Sequence, residues 1–176
     1  MSFWTDKTIE PKRSYRFRLK SINGLTIHDA KSIPWWNAKK VDKPSYTVST
    51  NKYRLINHEI NVPGIISWNP INIEIVDMGG VIKDLLAQLG SFGYSPTQAK
   101  LGLDTGLSKA TAMDKIGNLT IEQLDGDGKP LDVWKLEGAM ITEVRFGNLD
   151  YTSDEIISLT LVVTYDYAYI EETEIK

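Results

Sequence analysis

The sequence predicts a mainly β protein, a β-sandwich or partly open barrel with one flanking α-helix. Two observations support this fold class. Apolar and polar residues alternate in many short segments separated by Gly, Pro and Asp turns, and only one segment has convincing helical spacing. A chain of 176 residues, 41% hydrophobic and 24% charged, fits a single domain spanning residues 1–176. Its first ten residues or so are expected to form an extended arm.

The first half of the chain contains five predicted strands, at residues 16–19, 38–41, 46–49, 53–62 and 71–77. The fourth is the longest, because Ile56, His58 and Ile60 alternate with polar residues until Pro63 and Gly64 are expected to stop the strand.

The last third predicts strands at residues 119–124, 131–136, 140–146 and 156–167. The Asp-Gly-Asp-Gly run at 125–128 predicts a hairpin turn between the first two of these strands. Trp134, on the second of them, is expected to be a structural residue packed in the core or under the helix. The long last strand has one apolar face and one largely uncharged face, which favours pairing with a neighbour, although a central strand of an ordinary sandwich explains it equally well.

The credible helix covers residues 81–89, where Val81, Ile82, Leu85, Leu86 and Leu89 fall at helical spacing before Gly90. A second, shorter helix is predicted at 109–116 with Ser108 as its N-cap. The Gly-containing segment between them is expected to be a loop.

Composition excludes several classes of function. A net charge of −3 provides no basic excess for tight phosphate binding. The absence of cysteine excludes disulfides, thiolate metal sites and a cysteine nucleophile. No apolar run reaches the roughly 18 residues of a membrane span, and no phosphate-binding or dinucleotide-binding glycine motif occurs. Neither a cofactor nor a metal is therefore expected.

Two motifs could carry chemistry, and each has a simpler explanation. Asp104 lies in an Asp-Thr-Gly triplet, but an aspartic protease needs two such aspartates. Asp125 and Asp127 resemble the start of a calcium loop, but the required Gly and Glu are replaced by Pro130 and Leu136. We interpret the first motif as an exposed loop and the second as a tight turn.

The histidines and the aromatic residues have equally simple interpretations. His28 and His58 are too few for a histidine-rich zinc site, and His58 is expected to be a hydrogen-bonded core residue. The aromatic residues near strand ends could form a carbohydrate-binding or base-stacking platform, but core lids or interface anchors are favoured. These aromatic residues are Trp35, Trp36, Trp68, Tyr46 and Tyr53.

Longer motifs resemble one known family, the tail-tube proteins of contractile-tailed bacteriophages of the T-even type. In the C-terminal third, the similar stretches are residues 121–125, 130–131, 134–136, 139, 141–142, 146–151, 153–156 and 165–168. In the N-terminal half they are Trp4, Asp6, residues 11–13, 39–41, 43–46, 57–58, 63–64, Trp68 and residues 76–77. The resemblance covers nearly the whole chain, and its motifs are structural rather than catalytic.

The resemblance implies a non-enzymatic subunit with a fold like that of the type VI secretion tube protein. Six subunits would form a ring, with strands joining a neighbour's sheet, and rings would stack inside a contractile sheath as a channel for DNA ejection. It further implies a virion protein that is assembled in the host cytoplasm. The expected partners are other copies of the chain, the tail sheath protein, baseplate or hub proteins, tail-terminator proteins and, transiently, DNA, with no membrane. Alternatives are the tube of a phage-tail-like injection or secretion system, or a related protein of the tube end or baseplate.

Channel-lining positions are expected on the polar faces of the long strands. They are Asn57, Glu59, Asn61, Glu143, Arg145, Ser158, Thr160 and Thr164. Arg145 would add positive charge to the channel wall, so we expect it to be offset by Glu143 or by a carboxylate of a neighbouring subunit. Lys83 and Asp84, on the polar side of the predicted helix, are expected to face the sheath.

Overall fold

Two antiparallel sheets and one long hairpin make up the described part of the chain. The structure is a computed structural model and describes residues 11–22, 37–78, 82–83, 86, 109 and 117–171. Its strands are β1 (Phe17–Ile22), β2 (Ala38–Val41), β3 (Ser45–Leu55), β4 (His58–Asn69), β5 (Ile71–Val76), β6 (Asn118–Leu124), β7 (Pro130–Glu137), β8 (Met140–Arg145), β9 (Ser158–Thr164) and β10 (Tyr167–Glu171).

The two four-stranded sheets have the strand orders β1-β6-β7-β10, called sheet I here, and β2-β5-β9-β8, called sheet II. Strands β3 and β4 pair only with each other. In sheet II, Ile73 lies opposite Leu161, and in sheet I Leu119 lies opposite Leu136. These side chains are essentially inaccessible to solvent and belong to one core cluster, so the inner faces of the sheets pack against each other. The predicted mainly β fold is confirmed.

The short turns of the sandwich follow the predicted chemistry. Asp125 Oδ1 accepts hydrogen bonds from the backbone N–H groups of Asp127 and Lys129, both at 2.8 Å. Gly128 has φ of 79°, a conformation that favours glycine. The turn uses this carboxylate internally, which supports the interpretation of the motif as a turn rather than a calcium loop. Trp134, opposite Ile121, is half-buried against the core, as its structural role requires.

The predicted single strand at 53–62 is wrong. The chain reverses at Ile56 and Asn57, and β4 then continues through Pro63 and Gly64 to Asn69. Ile56 has φ of 39°, a conformation that costs an L-residue with a Cβ about 1–2 kcal/mol. Because isoleucine is not expected at positive φ, the residue type at this position does not predict the turn. Pro63 is tolerated because it lies beside a bulge, where the ladder is already interrupted.

The long C-terminal strand is shorter than predicted, ending at Thr164 rather than at 167 and beginning at Ser158 rather than at 156. The chain crosses from sheet II to sheet I at Asp166, whose N–H donates to the carbonyl of Glu137 at 2.9 Å. Gly138 makes room for this crossing, because a Cβ there would lie 2.3 Å from Asp166 Oδ2. The predicted apolar face of this strand is confirmed, with Leu159, Leu161 and Val163 buried.

The predicted helices fall largely outside the described residues. Ile82, Lys83 and Leu86 are helical, and Ile82 packs against the core cluster, in agreement with the predicted apolar stripe. Lys109 is helical at the start of the second predicted helix. The loop containing Asp104 lies outside the described residues.

We expect the contact between the sheets to dominate stability. Ile73→Ala should lower the free energy of unfolding by about 2–5 kcal/mol, since it removes a fully buried side chain. Ile65→Ala, on the exposed part of β4, should change it by no more than about 0.5 kcal/mol. Chemical denaturation of the unassembled protein measures both, and equal losses would contradict the assignment of the core.

Candidate assembly surfaces

The β3–β4 hairpin extends away from the sandwich. At about 3.3 Å per residue, the eleven residues of β3 span roughly 35 Å, and all of them are exposed. Its base is anchored by Trp68, whose ring lies 5.7 Å from that of Tyr165 and 5.4 Å from that of Tyr46. The Tyr165 hydroxyl also donates to the carbonyl of Ser45 at 3.5 Å. Isolated two-stranded hairpins are at best marginally stable in water, and within the described part of the chain β3 and β4 pair with no other strand.

The apolar face of the hairpin changes side along its length. Near the base, the apolar cross-strand pairs are Tyr46 with Trp68 and Val48 with Ile66. Nearer the tip, apolar residues occupy the opposite side, where Tyr53 pairs with Ile60 and Val62 lies beside them.

The polar side of the distal half contains charged residues. Lys52 and Glu59 form an ion pair at 2.7 Å, and Asn61 lies directly opposite Lys52. The distal half of the hairpin therefore has a charged face and an apolar face, and both are exposed in the single chain.

The change of face occurs at a bulge between Val48 and Thr50. The Ser49 hydroxyl accepts a hydrogen bond from the N–H of Ile65 at 2.9 Å. A Cβ at Gly64 would lie 2.5 Å from that hydroxyl, so glycine permits this close approach. The bulge thus allows one continuous hairpin to present apolar surface in two directions.

The outward face of sheet II is a second candidate surface. One row across the sheet contains Arg145, Thr160, Glu74 and Lys40, and the next contains Glu143, Val162 and Asn72. Asp42, just after β2, extends the second row, because its carboxylate accepts hydrogen bonds from the N–H and the side-chain amide of Asn72. The two rows therefore contain three acidic and two basic side chains, with one acidic side chain in excess. Five predicted channel residues meet on this face: Glu143, Arg145, Ser158, Thr160 and Thr164.

The other three predicted channel residues lie elsewhere. Glu59 and Asn61 are on the polar side of the hairpin, and Asn57 is in its turn. Asn72 and Glu74 also lie on this face and were not predicted to line the channel, although their alternation with the buried isoleucines of β5 was the available signal.

The charged pair on this face is formed within one subunit. Arg145 Nε donates to Glu143 Oε1 at 2.7 Å and Arg145 Nη2 donates to Oε2 at 3.0 Å. These hydrogen bonds favour the carboxylate, so they lower the pKa of Glu143 and raise the pKa of Arg145. The expected neutralisation of Arg145 is therefore achieved by its own Glu143.

The β8–β9 loop, residues 146–157, forms a third surface. Leu149, Tyr151 and Ile156 are largely exposed and line a cleft of about 620 Å³. Asp150 Oδ1 accepts hydrogen bonds from the N–H and hydroxyl of Thr152, at 2.9 and 2.8 Å, and the N–H bond is the larger cause of its lowered pKa. The loop is thus ordered by its own hydrogen bonds while its apolar side chains remain in water.

The remaining candidate sites do not assemble in the described part of the chain. His58 is exposed, so its prediction as a core residue is wrong; it follows the unpredicted hairpin turn. Trp68 packs on Tyr165, whereas Tyr53 lies seven residues along β3 from Tyr46, so no continuous aromatic platform forms. Lys83 is exposed, and Asp84, Trp35 and Trp36 lie outside the described residues.

Two further observations concern the described residues alone. They contain no group of three metal-ligating His, Asp or Glu side chains. None of their helices has the length and hydropathy needed to cross a bilayer.

Arg145→Gln should raise the pKa of Glu143 toward its ordinary value of 4.5, because the hydrogen bonds that favour the carboxylate are lost. A lowered folded-state pKa stabilises the protein above the unfolded-state pKa, and that contribution disappears as pH falls through the folded-state value. NMR titration of the side-chain carboxyl measures the shift. Lys52→Gln, which breaks the hairpin ion pair, should leave the Glu143 titration unchanged; a shift of equal size would contradict the assignment.

No family model and no curated protein sequence matches the chain. Its fold, in contrast, is similar to that of solved structures over nearly the full length. A chain in the extended sheath–tube complex of an extracellular contractile injection system, PVC, is 18% identical with a TM-score of 0.64, covering 98% of this chain and 99% of that one.

Two other structures match at a similar level. A chain in the six-fold symmetrised baseplate of the anti-feeding prophage is 15% identical with a TM-score of 0.64, covering 95% of this chain and 99% of that chain. A chain in the sheath/tube terminator of the PVC system is 17% identical with a TM-score of 0.62, covering 93% of this chain and 99% of that chain. The chain therefore has a fold found in contractile injection systems.

Proposed function

We propose that the protein is the tube subunit of a contractile tail or tail-like machine, assembling as stacked, six-membered rings inside a sheath. The observation that carries the proposal is the long hairpin with an exposed apolar face, on a fold found in sheath–tube, baseplate and terminator complexes. Tyr53 is 61% exposed and Val62 47% exposed on the hairpin. Burying such side chains contributes about 1.5–3 kcal/mol each, which favours assembly.

Ring closure would also complete the sheets. In the single chain, β1 and β10 are the edges of sheet I, and β2 and β8 the edges of sheet II. Edge strands carry unpaired backbone groups that can pair with another chain. Edge-to-edge pairing between subunits would satisfy these groups and produce a closed wall around a channel.

The outward face of sheet II is the proposed channel wall. Its charged rows have one acidic side chain in excess, Asp42, and Glu143 holds Arg145 by two hydrogen bonds. A wall of this kind does not concentrate phosphate contacts, so DNA could pass without binding. We assign Glu143, Arg145, Ser158 and Thr160 to this wall, with the half-buried Thr164 at its margin. Asn57, Glu59 and Asn61, on the hairpin, are assigned to contacts between subunits.

In a phage, the channel would conduct DNA into the host, and the partners would be sheath, baseplate or hub, and terminator proteins. Lys83 and Asp84 are the proposed sheath-facing positions; Lys83 is exposed next to Ile82, which packs on the core.

The second candidate function is the tube of an injection system that carries another cargo. The similarity to chains of the PVC system and the anti-feeding prophage favours that candidate.

Electron microscopy of the purified protein should show rings or tubes at high concentration. Val62→Asp should abolish them, because it places a charge on the apolar side of the hairpin. Val62→Ile keeps that side of the hairpin apolar and should assemble normally. A wild-type protein that remains monomeric at all concentrations and salt levels would overturn the proposed function.

Thr160→Lys should preserve assembly but slow DNA release, since ring symmetry turns one lysine into a belt of positive charge. Infectivity and the rate of DNA ejection from reconstituted particles are the measurements, with Thr160→Gln as the uncharged control. Loss of assembly in both variants would show that this face is a buried contact. Normal assembly with unchanged DNA release would contradict the assignment of this face to the channel wall.

A further inference from the structure

The hairpin and the β8–β9 loop lie at opposite ends of sheet II. The hairpin joins the sheet at Ile71, which pairs with Val163 near the end of β9. The loop enters the sheet at Ser158, which pairs with Val76 at the other end of β5. Seven residues of β9 separate the two ends by about 20 Å, and the hairpin extends farther from the loop, so the two surfaces cannot cover each other within one chain.

The tip of the hairpin is an exposed apolar projection. Ile56 is 93% exposed and has the positive φ of 39° described above. Leu55 is 47% exposed on the apolar face beside it. This large aliphatic side chain, in a strained turn, is left in water by the described part of the chain, and it fits an anchor that inserts into another surface.

The β8–β9 loop is complementary to such an anchor. Leu149 is 86% exposed and Ile156 72% exposed, and together with the fully exposed Tyr151 they line the 620 Å³ cleft. The side-chain hydrogen bonds of Asp150 and Ser153 already order the loop. Because the loop is ordered in advance, less conformational entropy would be lost when the cleft is filled.

Charge also matches between the two surfaces. Near the tip, Arg54 has no ion-pair partner among the described residues, whereas Lys52 is bound to Glu59. The loop carries three acidic residues, Asp150, Asp154 and Glu155, and none of them forms an ion pair within the described part of the chain. A cationic tip beside an acidic loop favours this pairing over tip-to-tip or loop-to-loop contacts.

We infer that the hairpin tip of one copy docks in the β8–β9 loop cleft of the next copy along the stack, with Ile56 as the apolar anchor and Arg54 facing the acidic residues. Two different surfaces at opposite ends of one molecule form a heterologous, head-to-tail contact, which repeats without closing and produces a filament. This inference rests on the proposed function, because it assigns the contact that joins one ring to the next.

Cysteine cross-linking tests the contact directly, since the chain has no cysteine of its own. Ile56→Cys mixed with Leu149→Cys should give a disulfide-linked dimer on mild oxidation, seen on a non-reducing gel. Neither variant oxidised alone should give a disulfide-linked dimer, because each carries a cysteine on only one side of the contact. The double variant should give a ladder of dimers, trimers and longer species, because each copy then has both halves of the contact.

The matched control is Ile65→Cys mixed with Leu149→Cys, since Ile65 is also highly exposed on the hairpin but lies away from the tip. This mixture should give no dimer. Rings or tubes in the microscope without cross-linking at Ile56, or with equal cross-linking at Ile65, would overturn the inference and leave the proposed function intact. Absence of rings and tubes under all conditions would overturn both.

Discussion

The packing of sheet I against sheet II is the interaction on which the rest of the molecule depends. Isoleucines of β5 and leucines of β9 meet Leu119 and Leu136 of the facing sheet, and these side chains are almost completely removed from water. Each sheet could not persist alone, because its apolar face would remain solvated. This core fixes the direction of β5 and β9, and therefore places the hairpin at one end of sheet II and the β8–β9 loop at the other.

Outside that core, the single chain leaves much apolar surface in water. The hairpin is held at its base by Trp68 and Tyr165, but its distal half projects with Tyr53, Ile56 and Ile60 exposed. Such surface is a liability for a free monomer and an advantage for a subunit that is normally surrounded by copies of itself. The exposed apolar surface at one end of the molecule thus explains both why the chain would associate and why its association would be directional.

The outward face of sheet II shows a different use of polar residues. Glu143 and Arg145 satisfy each other's charge within one strand, and Glu74 lies directly opposite Lys40 on the neighbouring strand. The single chain therefore carries little net charge on this face, with one acidic side chain, Asp42, in excess. Symmetry would multiply any residual charge, so pairing of opposite charges within one chain is the simplest way to keep the electrostatic potential of a long repeated surface low.

The sequence by itself determined most of the sandwich, because alternation of buried and exposed residues is a local property of a strand. Strands β2, β5, β6 and β7 were predicted within one or two residues, as was the turn closed by Asp125. Five of the polar residues found on the face of sheet II also followed from alternation, and the pairing of Arg145 with Glu143 was one of two expected alternatives.

Only the tertiary structure decided where the hairpin turns and where the last strand ends. Ile56 adopts a strained conformation that no residue type signals, so the β3–β4 reversal and the exposure of His58 depend on pairing between distant segments. The last strand stops at Thr164 because Asp166 bonds to Glu137 in the other sheet. These contacts join residues far apart in the chain, and a local pattern cannot encode which distant partner will be reached.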